Sequence, residues 1–122
     1  MDLPLSPSDY QRYEQSVWLL QEVVEQINKD FRLQGFEVEF SGKGEEAYQE
    51  LTAQLKPVIE YMLENLTEKF WNLIYGIDLS ESKVRQILFG SDQEIDAIQE
   101  LTDLILKREL QKVVIRLHYS GK

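Results

Sequence analysis

Arg108, Lys112 and Arg116 stand four residues apart. On a helix that spacing stacks three cations into one ridge, and His118, the single histidine, lies two residues beyond it. Chemistry of this kind recognises carboxylates or phosphates. The ridge can dock on the protein's own acidic body, near Glu37 and Glu39, as an internal clasp. Alternatively it can form a surface for an acidic protein partner. The charge distribution sharpens that choice. Residues 107–122 hold five basic side chains against Glu109 alone, a net +4, whereas residues 1–106 hold 8 basic and 21 acidic side chains, a net −13. Together they make the −9 of the whole chain. Such a balance disfavours nucleic-acid backbones and anionic membranes as partners. The basic segment also lacks the interleaved aromatics on which single-stranded bases stack.

Other constellations are thinner. A carboxylate-bridged metal bundle needs Glu-x-x-His pairs on facing helices, and one histidine cannot supply them. No stretch has the acid spacing and central glycine of a calcium loop. The absence of cysteine excludes a disulfide scaffold, a thiolate zinc site and a cysteine nucleophile. No Gly-x-Ser-x-Gly elbow mounts a serine nucleophile. Gly42-Lys43-Gly44 precedes a helix start but lacks the rest of a phosphate loop, and Glu45 and Glu46 occupy the place an anion would take. No catalytic residue, metal ligand or resident cofactor is assigned. The reading leans away from an enzyme, with an all-carboxylate site among the 22 acids as the open alternative. Asn65-Leu66-Thr67 matches a glycosylation acceptor. Residues 1–10 (MDLPLSPSDY) lack a basic and an apolar region, so a cytoplasmic location is expected and that match is read as chance.

The elements that must position these side chains read as helices. Tyr10, Tyr13, Val17, Leu20, Val24, Ile27 and Phe31 alternate at spacings of three and four, an apolar stripe that Trp18, Leu19 and Val23 widen. Ser8 with Gln11, or Ser6 with Pro7, starts this helix, and Gly35 stops it. A second helix is expected from Glu45 to Leu66, kinked or split near Gln54–Lys56 by Pro57. A third follows from Thr67 to Tyr75, ended by Gly76. A fourth is capped by Asp78 with Glu81 three residues on and runs to Gly90. A last helix starts at the capping box of Ser91 and Glu94 and runs at least to Val113. Two segments are ambiguous. Phe36, Val38 and Phe40 alternate with Glu37 and Glu39, while Ile115, Leu117 and Tyr119 alternate with Arg116 and His118, so residues 36–40 and 114–119 can pair as a two-stranded ribbon. Otherwise 36–40 is an extended loop and 113–119 is helix. Asp78 and Arg108-Glu109 are placed to touch between helices.

The expected fold is therefore mainly α: one domain over 1–122, an irregular bundle of four to five helices, with the ribbon as the variable feature. The run Phe70-Trp71-Asn72-Leu73-Ile74-Tyr75-Gly76-Ile77-Asp78, followed by Arg108-Glu109-Leu110-Gln111-Lys112-Val113, resembles short bacterial helical proteins of similar length. That resemblance implies a small bacterial cytosolic protein and carries over no activity and no site. With no catalytic constellation and a polarised charge, the expected function is a protein-interaction or accessory module. A small carboxylate-based enzyme or metal-binding bundle is the alternative. Self-association through surplus apolar helix surface is a third possibility.

Overall fold

The computed structural model describes residues 17–37, 39, 47–90 and 96–119, without the side chains of Val17, Ala47, His118 and Tyr119. Five helices account for nearly all of them: α1 Val17–Arg32, α2 Ala47–Asn65, α3 Thr67–Gly76, α4 Glu81–Phe89 and α5 Ala97–Tyr119. No strand occurs among the described residues. The protein is an irregular helical bundle. Its organising element is α5, which packs against α1, α2 and α4, while α3 packs on α2 and touches α1.

One apolar cluster draws on all five helices. The α1 stripe supplies Leu20, Val24, Ile27 and Phe31, widened by Leu19 and Val23. Trp18 departs from that reading and is 59% exposed. Leu51, Leu55, Ile59 and Met62 of α2, Phe70, Leu73 and Ile74 of α3, Val84 of α4, and Leu101, Ile105, Leu110 and Val113 of α5 complete the core. The buried Thr102 of α5 donates its hydroxyl to the Ile98 carbonyl at 2.7 Å, which removes the cost of leaving it unpaired. Pro57 does not split α2. Its missing N–H leaves the Ala53 carbonyl without a helical donor, and both residues lie on the exposed face, where solvent satisfies that carbonyl.

The helix ends differ in detail from the sequence reading. At the end of α1 the Phe36 N–H reaches the Phe31 carbonyl at 3.0 Å and the Gly35 N–H reaches Arg32 at 3.0 Å. This is a Schellman turn, with Gly35 at φ +90°. The end of α3 repeats it: the Leu79 N–H bonds Ile74 and the Asp78 N–H bonds Tyr75, each at 3.1 Å, with Asp78 at φ +61°. Asp78 is thus the left-handed residue that closes α3 and cannot also be the extended N-cap of α4. Ser80 caps α4 instead, accepting from the Lys83 N–H. Asp96 caps α5, accepting from the Gln99 N–H at 3.1 Å, a bond that holds its carboxyl below the usual range. The expected starts at Ser8, Ser6 and Ser91 and the Gly42-Lys43-Gly44 turn lie outside the described residues.

The ribbon does not form. Residues 113–119 are the last turns of α5, because Val113, Val114 and Leu117 pack on the core at helical spacing. Tertiary contact outweighs the β preference of Val-Val-Ile. Glu39 donates its N–H to the Gln54 side chain of α2 at 2.9 Å rather than to a strand.

The two Schellman turns predict opposite responses. Gly35→Ala places a side chain in left-handed backbone and should lower stability by about 1 kcal/mol. Asp78→Gly relieves the same strain and should be neutral or stabilising by up to about 1 kcal/mol, since its ion pair with Arg108 is long and its side chain 90% exposed. Urea unfolding midpoints of the two variants check both signs.

Candidate functional site

The cationic ridge of α5 faces inward. Arg108 donates Nε to the Ile77 carbonyl at 2.9 Å and Nη1 to Gln111 at 2.6 Å, and lies 3.5 Å from Asp78. Lys112 donates to Asp30 of α1 at 2.8 Å. Arg116 reaches Glu22 and Gln26 of α1, each at 3.3 Å. Its partners are therefore on α1 and on the turn after α3. Glu37 and Glu39, the acids expected to receive it, are not its partners: Glu37 pairs with Arg32 at 2.6 Å, and Glu39 bonds Gln54 through its backbone N–H. The His118 side chain lies outside the described residues. The helical spacing of the three cations aims them together, and burial grades them: the side chains are 17%, 23% and 48% exposed from Arg108 to Arg116.

Between Arg108 and Lys112 sits Glu109, with no exposed surface. Neither of its carboxylate oxygens receives a hydrogen bond from the described residues, although Lys112 Nζ stands 3.5 Å from Oε1. Burial pushes its carboxyl up to about 9 from an ordinary 4.5. The neighbouring Asp30 carboxylate adds to this by accepting from the acid form and by repelling the charged one, and Lys112 opposes both. At neutral pH Glu109 therefore keeps its proton beside the Lys112–Asp30 ion pair. Two neighbouring carboxyl groups beside a lysine are ingredients of acid–base catalysis. None of the three lines the groove between α4 and α5 or the groove beside Glu25, Asn28, Lys29 and Arg32. Among the described residues no three His, Cys, Asp or Glu side chains could hold a metal ion, and no helix is long and apolar enough to cross a membrane.

The surface offers two other features. On the outer face of α3 and α4, Trp71 and Tyr75 are one turn apart, as are Glu81, Arg85 and Phe89. The Tyr75 hydroxyl donates to Glu81, and Arg85 lies over the Trp71 ring at 4.6 Å while bonding Glu81 at 2.8 Å. The contacts of 75 with 81 and 71 with 85 tie α3 to α4 across the turn that joins them. Phe89, 71% exposed, extends the same ridge by a turn. The sequence reading missed Arg85; the signal was two i, i+4 ladders on consecutive helices joined by a short turn. On the other side of α4, an open groove of about 590 Å³ runs between α4 and α5, with Lys83, Lys107 and Arg108 as its cations and Asp78 as its carboxylate.

No family model, curated protein or solved structure matches the chain.

The buried trio makes stability depend on pH. A carboxyl raised in the folded state contributes full stability below its unfolded value near 4.5 and loses it as pH rises toward about 9. Glu109→Gln, whose amide can donate to Asp30 in place of the acid proton, should therefore stabilise the protein at pH 8 by about 1–3 kcal/mol. The gain should fade below pH 4.5, as read from denaturation midpoints across pH. Lys112→Met strands the Asp30 charge and should cost about 3 kcal/mol. Arg116→Ala, at the exposed end, should cost less than about 1 kcal/mol by the same measurement.

Proposed function

We propose that this chain is a non-catalytic protein-interaction or accessory module of the bacterial cytoplasm, and that it engages its partner through the outer face of α3 and α4. The observation that supports this reading is the composition and geometry of that face. Trp71, Tyr75, Arg85 and Phe89 form one ridge held by a ring-to-guanidinium contact and a shared carboxylate. Trp, Tyr and Arg are the residue types that dominate binding energy at protein interfaces. Tyr75 is 57% and Phe89 71% exposed, so both offer apolar area that a partner can remove from water. The contacts to Glu81 and Trp71 fix the side chains of Tyr75 and Arg85 before binding, which lowers the entropy lost on association. The ridge lies on helices rather than on a loop, and Trp71 anchors it by packing against the core. The carboxylate-enzyme alternative would use Asp30 and Glu109, and the burial of Glu109 disfavours it.

A photo-crosslinking phenylalanine analogue in place of Phe89 or Tyr75, expressed in the cells that make the protein, should capture a distinct protein. The same analogue at Glu60, exposed on α2, should not. Arg85→Ala combined with Tyr75→Ala should reduce capture at Phe89 at least tenfold while leaving the helical signal unchanged. Capture equal to that at Glu60 overturns the reading, and capture of a second copy of the chain alone reassigns the face to self-assembly.

A further inference from the structure

We propose that the groove between α4 and α5 binds a phosphoryl group, with Lys83, Lys107 and Arg108 as its cations and Asp78 as an internal stand-in that the ligand displaces. The site is separate from the α3–α4 ridge and does not depend on it. In a chain of net charge −9, three of the 13 basic side chains converge on one concave surface. They come from two elements, Lys83 from the first turn of α4 and Lys107 and Arg108 from the middle of α5, so folding rather than sequence brings them together. Asp78 is the single carboxylate among the lining residues. Glu81, the acid nearest in sequence, is drawn to the opposite face by Tyr75 and Arg85. Three positive and one negative formal charges suit a dianion, and a phosphate monoester carries about −1.5 to −2 near neutral pH.

Asp78 marks where such an anion would sit. Its carboxylate stands 3.5 Å from the Arg108 guanidinium, beyond the length of a good charge-assisted hydrogen bond, and its side chain is 90% exposed. A contact that long and that wet contributes little and yields to a ligand with more charge. Arg108 itself is held in place by the Ile77 carbonyl and Gln111, so its guanidinium is positioned before a ligand arrives. The Ser80 hydroxyl and Gln111 amide, also on the groove wall, are the neutral polar groups at hand.

The test is a titration of the full chain with inorganic phosphate and, separately, with a phosphoserine peptide, at constant ionic strength, following backbone amide shifts. Saturable shifts are expected in the first turn of α4 and the middle of α5. Lys83→Gln combined with Lys107→Gln, both exposed positions, should weaken binding about tenfold or more while the helical signal is retained. Asp78→Asn keeps a residue that tolerates left-handed backbone and should tighten binding several-fold. The tighter of the two probes identifies a free phosphate compound or a phosphorylated protein as the source. Absence of saturation with both probes overturns the proposal. So does affinity unchanged in the double lysine variant, or weakened binding in Asp78→Asn.

Discussion

The Lys112–Asp30 ion pair between α5 and α1 is the interaction around which the rest of the molecule is arranged. Helix α5 meets other helices on three sides, so a charge on its inner surface must be matched by the neighbour it faces. Lys112 is bonded to Asp30 at 2.8 Å, and both side chains are largely removed from water. That requirement fixes the rotation of α5 about its axis. Rotating it to expose Lys112 would withdraw Val113 and Leu110 from the core, and the two demands agree on one orientation. Glu109 follows from the same constraint. It lies on the buried arc beside Lys112, and its burial is tolerated because it keeps its proton.

The turns are built with comparable economy. The same backbone arrangement closes α1 and α3, once with glycine and once with aspartate in the left-handed position. Using Asp78 there carries a conformational cost that Gly35 avoids. It also sets a carboxylate at the mouth of the α4–α5 groove, beside Arg108. The Ile77 carbonyl just before it takes the Arg108 Nε donor. One tight turn therefore ends a helix, anchors a cation and limits how much of the groove's positive charge faces solvent.

Helix α4 is short but presents different chemistry on each side. Glu81, Arg85 and Phe89 follow one ridge toward α3, while Lys83 faces the groove shared with α5, and Val84 between them is buried in the core. Nine residues suffice because the helix is held by buried Val84 with Ile87 and Leu88 packed against the core, a serine cap and the Glu81–Tyr75 and Arg85–Trp71 contacts.

The sequence by itself determined the helices and their inner faces. The spacing of Leu20, Val24, Ile27 and Phe31, and of Leu51, Leu55, Ile59 and Met62, admits only a helical stripe, and burial of those residues follows from hydrophobicity alone. The spacing of Arg108 and Lys112 likewise placed them on one ridge, which Arg116 joins because 113–119 is helical. Local patterns failed where two readings fitted the same residues. Residues 113–119 satisfy both a strand and a helix period, and only the packing of Val113, Val114 and Leu117 on the core decided between them. Asp78 and Ser80 are both cap formers, and the close of α3 decided which one begins α4. The partners of the ridge, Glu22, Asp30 and Asp78, lie 30 to 94 positions away, and no local rule selects them among the 22 acids of the chain. Tertiary structure made that choice, because charge complementarity acts through space whereas periodicity acts along the chain.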